Sequence, residues 1–140
     1  MKNIILGSYM DAWRGYGPTV LRIVTGIIFA LHGWQKVGFG LPQVAGMLEG
    51  MGFMLPFVFA VLLIAAELVG GIMLILGLFT RLAAKSLVIV SLVALFVVHL
   101  PNGFFMNTGG YEYILLLLAA SVSLMLTGGG KWSLDSKITR

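Results

Sequence analysis

Four apolar runs, each close to the length that crosses a bilayer, constrain this chain more than anything else in it. A transmembrane helix needs roughly 20 consecutive apolar residues to cross a ~30 Å hydrocarbon core. Pro18–Val37, Leu55–Leu78, Ala83–Leu100 and Tyr111–Thr127 meet or approach that length. The last is the shortest and covers only ~25 Å at 1.5 Å per residue, a deficit left to local thinning of the bilayer or to polarity at its outer end. Of 140 residues, 59% are hydrophobic and only 10% charged, against about 25% charged in an ordinary soluble domain. So few charges cannot give a water-soluble ball a polar surface. Open strands would leave backbone groups unpaired in lipid, and no alternation of ~10 residues marks a barrel. The expected fold is therefore all-α, an integral membrane four-helix bundle. Between the first two runs, Gly38–Met54 is apolar but broken by Gly40, Pro42, Gly46, Gly50 and Gly52. It reads as an interfacial or re-entrant piece.

Direction follows from the Lys and Arg bias of the loops. An even number of spans places both termini and the loop between spans two and three on one side. That side carries Lys2, Arg14, Arg81, Lys85, Lys131, Lys137 and Arg140, whereas the other carries Lys36 alone. Both termini are expected in the cytoplasm, with a segment 1–17, a bundle 18–127 and a tail 128–140, in a multi-pass protein of the inner membrane. Trp13, Tyr16 and Trp132 mark the inner interface, and Trp34, Tyr111 and Tyr113 the outer one. The N-terminus lacks the compact apolar region and cleavage site of a signal peptide, so the first run is expected to remain in the mature protein. The net charge of +4 sits in short clusters beside apolar runs, not in a stripe, and does not read as a nucleic-acid footprint. Cysteine is absent, which excludes disulfides, thiol redox chemistry, Cys-ligated iron–sulfur clusters and c-type haem attachment.

Ionisable groups at membrane depth cost at least ~2.5–3.5 kcal/mol each on the insertion scale, so each needs a partner or a task. Arg22 lies in the inner half of span one and Glu67 near the middle of span two. Arginine does not readily give up its charge, and Glu67 is the only deep acid, so this pair is the expected remedy. It serves either as the polar floor of a binding cavity or as a structural ion pair. At 100° per residue, Arg22, Thr25, Phe29, His32 and Lys36 fall within about 80° of one another, which predicts one inward stripe. His99 reaches the level of His32 on span three, and Tyr111, Glu112 and Tyr113 open span four there. The topology gathers His32, Lys36, His99 and Glu112, with Asn102 and Asn107, near the outer mouth.

Two lone histidines on separate helices are a weak signal for b-type haem, and no His-x-x-x-His spacing supports a metal. Hydrogen bonding or proton transfer to a quinone or similar amphipathic head group suits His and Glu better. The plainer alternative is that His99, Glu112 and the tyrosines simply end their helices in the head-group zone. The candidate catalytic groups are His32, His99 and Glu112, and the candidate ligand-binding set is Arg22, Glu67, His32, Lys36 and Tyr111. Gly26-x-x-x-Ala30 and Ala66-x-x-x-Gly70 predict close helix approach, while Gly70 and Gly71 make room beside Glu67. The eight methionines read as packing. Gly128-Gly129-Gly130 ends the last helix and is no phosphate loop, since no strand precedes it and no helix follows.

Several motifs, taken together, resemble the DoxX family of small bacterial membrane proteins. They are Leu21-Arg22 and Leu31-His32-Gly33 with Lys36, then Glu67-x-x-Gly70-Gly71 and Leu76-Gly77-Leu78-Phe79-Thr80-Arg81. Asn102-Gly103-Phe104-Phe105, Gly110-Tyr111-Glu112-Tyr113 and Gly130-x-x-Ser133-Leu134-Asp135 complete a match from about Pro18 to Asp135. The resemblance implies four helices and an oxidoreductase component. Some relatives belong to a thiosulfate:quinone oxidoreductase, and others are associated with resistance to quinones or thiol stress. Combining residues and resemblance, the favoured expectation is a quinone-interacting membrane subunit that supports electron transfer or redox-stress defence. No residue is itself an electron carrier, so redox activity needs a quinone, a haem or a partner subunit. A non-catalytic membrane scaffold or assembly partner, whose polar residues serve packing and partner contacts and which holds no ligand, is the alternative class. The expected partners are the lipid bilayer, a quinone, and a second copy of the chain in a homo-oligomer or a redox subunit. A small-solute transporter is the third and is disfavoured by size and by the lack of a broken-helix pair.

Overall fold

The structure, a computed structural model, describes residues 13–138. Lys2, Arg140 and most of the N-terminal segment, on which part of the charge argument rests, lie outside the described residues. Every regular element among the described residues is helical. The order is α1 (Gly17–Phe39), α2 (Leu41–Gly50), α3 (Pro56–Leu76), α4 (Thr80–Val93), α5 (Glu112–Thr127) and α6 (Asp135–Ile138). Helix α4 does not stop at Val93 but widens into a π-helical turn, Ala94–His99, and tightens into a 3-10 turn, Leu100–Asn102. The expected third span therefore begins a turn earlier than Ala83.

Local chemistry explains the boundaries. Proline stands in the first turn of α1, α2 and α3, where its missing N–H belongs to a group the helix leaves unpaired anyway. Gly40, at φ +86, breaks α1 from α2. Gly77, at φ +67, closes α3 in a left-handed cap: its own N–H donates to Leu74 and that of Leu78 to Met73. This is the paired arrangement in which glycine avoids a Cβ clash. Helix α2, only 10 residues or ~15 Å long, does not span. It buries Val44, Ala45 and Leu48 against Ala60 of α3.

Helix α3 and the continuous stretch Thr80–Asn102 are long and apolar enough to cross a membrane. Helix α1 has the length, 23 residues, with its apolar character diluted by Arg22, His32, Gln35 and Lys36. Helix α5 is apolar and shorter, at 16 residues. The core joining them consists of Phe29, Leu74, Ala83, Ala84, Leu87, Leu95, Ile114, Leu117 and Leu124. Large apolar side chains cover the outside as well, among them Leu31, Leu62, Val69, Ile89, Phe96 and Leu116. A soluble protein rarely exposes so continuous an apolar coat.

The tightest contact is between antiparallel α1 and α3. A Cβ on Gly26 would meet the Gly71 carbonyl at 2.6 Å, one on Gly33 the Leu68 N at 2.5 Å, and one on Gly71 the Ala30 N at 2.5 Å. The α1 half of the expected small-residue contact holds. The α3 half does not, because Gly70 turns toward Leu87 and Ser86 of α4 at an ordinary 3.6–3.7 Å. Gly71, one helical turn from Glu67 on the same face, faces α1 instead, and Gly33 joins it.

Candidate functional site

Polar side chains collect in three places, at the two ends of the α1–α3 contact and in the loop between α4 and α5. At the end where α1 begins, Arg22 is 2% exposed. Its Nε donates to the Gly129 carbonyl at 2.9 Å and Nη2 to that of Trp132 at 3.0 Å. Nη1 donates to Leu74 at 3.0 Å and also to Ile75. Four of the guanidinium's five N–H groups thus point at backbone carbonyls. Two of these carbonyls belong to the last turn of α3, where the helix leaves carbonyls unpaired and a positive charge is favoured. The other two belong to the tail.

The tail is drawn into this end by several further bonds. Leu134 N–H donates to the Leu76 carbonyl at 3.3 Å, and Asp135 N–H to that of Gly77 at 2.9 Å. The Asp135 carboxylate accepts the N–H of Phe79 at 2.7 Å and of Thr80 at 2.8 Å, so it caps α4 from outside that helix. Thr19 donates its hydroxyl to the Lys131 carbonyl, and Lys131 N–H donates to Gly15 at 2.9 Å. Gly77 leaves the space all this requires: a Cβ there would meet Ser133 at 2.5 Å and the Arg22 guanidinium carbon at 2.9 Å.

The expected Arg22–Glu67 pair does not form. Gly33 of α1 lies level with Leu68 of α3, which puts Glu67, one residue further out on the antiparallel helix, about 18 Å of helix rise away from Arg22 along α1. Helical side chains also lean toward their own N-terminus, so Arg22 reaches outward past the end of α3, away from Glu67. The same lean brings Lys36 back by a turn. Lys36 Nζ meets Glu67 Oε2 at 2.6 Å, with side chains 18% and 7% exposed. Of the expected stripe, Arg22, Thr25 and Phe29 are buried and Lys36 half-buried, but His32 is exposed. Gly26 and Gly33 take the inward positions beside Phe29, which turns His32 out of the bundle.

The expected outer cluster is likewise divided. His99 bonds the Gly109 carbonyl through Nδ1 at 2.8 Å, and since a carbonyl only accepts, Nδ1 carries the proton. Glu112 Oε1 accepts the Met106 N–H at 2.6 Å. Asn102 Nδ2 donates to Val98 at 3.1 Å and Gly109 at 3.3 Å. Tyr111 sets its ring edge-on to Phe104 at 5.4 Å. These residues tie the loop onto the ends of α4 and α5, and no hydrogen bond or ion pair among the described residues joins them to His32 or Lys36. The residues that sequence reasoning passed over are Thr19, Gly77, Gly129 and Asp135. All but Thr19 lie in or beside the motifs noted above, yet nothing in their spacing announces that a tail more than 100 residues away caps Arg22.

A family model described as DoxX matches residues 17–100. The chain belongs to the DoxX family. That match spans α1, α2, α3, α4 and the π-helical turn that extends it, and so includes Arg22, Lys36 and Glu67. Among curated relatives, CatD of Bacillus subtilis, whose name assigns it provisionally to the oxidoreductases, is 34% identical over 120 residues, covering 85% of this chain and 84% of that protein. An uncharacterized protein of Haemophilus influenzae is 35% identical over 132 residues, covering 91% and 95%. An uncharacterized membrane protein of Mycobacterium tuberculosis is 29% identical over 153 residues, covering 97% and 94%. No solved structure matches. This chain is thus a DoxX-family membrane protein whose deep acid is partnered by lysine, not arginine.

Proposed function

We propose that this DoxX-family protein spans the inner membrane four times, with both termini cytoplasmic, and binds a quinone head group at the Lys36–Glu67 pair. The observation that carries the reading is the pair itself. It engages one carboxylate oxygen and one ammonium N–H, which leaves two ammonium donors and one carboxylate acceptor at a half-buried position. A quinone carbonyl accepts a hydrogen bond from Lys36, and reduction to the quinol, which consumes two electrons and two protons, draws its protons from water through Glu67 as relay. His32, one turn before Lys36 and exposed, stands on the approach to this pair. Arg22 drops out of the ligand set because four of its five donors are already spent on carbonyls. His99 and Glu112 drop out as well, since their hydrogen bonds hold the loop between α4 and α5. Electrons come from a partner subunit or a soluble reductant, in keeping with the provisional oxidoreductase name of the Bacillus relative. The saturation of Arg22 and the docked tail support a second reading, a membrane scaffold with no ligand.

Mass spectrometry of an organic extract from protein purified in mild detergent separates the two. Near-stoichiometric quinone that falls sharply in Glu67→Gln and Lys36→Met supports the site. Quinone no higher than in an unrelated membrane protein handled alike leaves the scaffold. Topology has its own test, because the chain lacks cysteine: a single Thr108→Cys in intact cells should react with a membrane-impermeant maleimide, and a single Ser136→Cys should not.

A further inference from the structure

A second amphipathic site lies at the opposite end from Lys36 and Glu67. Between the start of α4 and the tail is an open cleft of about 590 Å³, lined by Phe79, Thr80, Arg81, Leu82, Gly129 and Ile138, among others. Its character is mixed. Arg81 is exposed, and its one hydrogen bond among the described residues is a long 3.4 Å contact from Nη1 to the Met125 carbonyl. Among the described residues nothing else engages its planar fork, whose geometry grips a phosphate. The acid in the cleft, Asp135, spends both carboxylate oxygens on the Phe79 and Thr80 N–H groups. Thr80 is fully buried, and its hydroxyl has no hydrogen-bond partner among the described residues. Around the polar centre stand exposed apolar side chains, Phe79 at 61%, Leu82 at 63% and Ile138 at 70%. Leu82 is continuous along α4 with the apolar coat at Ile89 and Phe96.

We infer that this cleft is a binding site for one anionic phospholipid of the cytoplasmic leaflet. Arg81 holds the headgroup phosphate, and the acyl chains run along Leu82 and the outer face of α4. A free phosphate would find the cation but leave the apolar wall wet, whereas a lipid satisfies both. Lys85, one turn beyond Arg81, and Lys137 in the tail add to the local positive field without lining the cleft. The inference rests on the four-span reading, which puts the start of α4 at the cytoplasmic surface, and is independent of the quinone.

The test is native mass spectrometry of the full chain in detergent, titrated with dioleoyl phosphatidylglycerol or dioleoyl phosphatidylcholine. One phosphatidylglycerol per chain should be retained preferentially. Arg81→Gln should weaken that retention roughly fivefold, as expected for loss of one basic contact to an anionic headgroup. Ile138→Asp, on the exposed terminal turn, should do the same by repulsion without disturbing α4, so a folding defect in the arginine variant does not decide the matter. Lys85→Gln should change retention far less. Equal retention of the two lipids, an equal loss in Lys85→Gln, or full displacement by millimolar inorganic phosphate would each overturn the inference. Labelling of Ser136→Cys from outside the cell would instead overturn the four-span reading on which it stands.

Discussion

Replacing Arg22 by methionine removes the guanidinium while keeping a long apolar stem. The side chain is 2% exposed and supplies donors to four carbonyls. Leu74 keeps a partner in the Gly77 N–H, so the loss falls on Ile75, Gly129 and Trp132. At ~1–3 kcal/mol for each buried group left unsatisfied, the upper limit is about 9 kcal/mol. Water reaches this end of the bundle once the tail loosens, and Trp132 is itself exposed, so we expect a net loss of about 4 kcal/mol. The assay is reversible unfolding of detergent-solubilised protein by a denaturing surfactant, followed by Trp fluorescence and far-UV circular dichroism. Arg22→Lys should recover little, because a point-like ammonium cannot reach four acceptors at once. The decisive comparison is a double-mutant cycle with Glu67→Gln. Residues this far apart with no shared partner should add within ~0.5 kcal/mol. A coupling above ~1 kcal/mol, or a loss below ~1 kcal/mol in Arg22→Met alone, would refute the carbonyl cage.

Two further expectations concern the other polar contacts. Asp135→Ala should destabilise by about 1–2 kcal/mol, the usual effect of losing an N-terminal cap, and should speed amide exchange at Phe79 and Thr80; unchanged exchange there would show that the tail does not cap α4. Lys36→Met should destabilise by leaving the buried Glu67 carboxylate alone, and Glu67→Leu by leaving the half-buried Lys36 ammonium alone, while the double substitution should recover most of the ~3–5 kcal/mol lost on breaking a buried pair. Strictly additive losses in the same unfolding assay would mean the two side chains do not interact.

Much of this molecule was legible in the linear chain because the relevant forces are local. Apolar runs of bilayer length, too few charges for a wet surface, and Pro18, Pro42, Pro56, Gly40 and Gly77 at helix ends mark out the helices. Their membrane character follows from the same runs, since backbone pairing in lipid leaves helices as the available answer. Cysteine's absence removes whole classes of chemistry without any coordinates. Even the need of Arg22 and Glu67 for partners can be read directly, because it is a cost of burial, not of geometry.

Which partners they take was decided by tertiary structure. Partner choice depends on the level at which α1 crosses α3 and on the lean of helical side chains, and neither is encoded in spacing along one helix. Gly26, Gly33 and Gly71 set that level by letting the backbones meet, which carries Arg22 past the end of α3 and brings Lys36 back to Glu67. The helical wheel kept His32 inside because it scored polarity, whereas close packing reserved the inward positions for glycine and Phe29. The tail is the extreme case. Leu134 and Asp135 find the unpaired ends of α3 and α4 only after helix packing has brought those ends together, and no property of residues 128–138 alone would have placed them there.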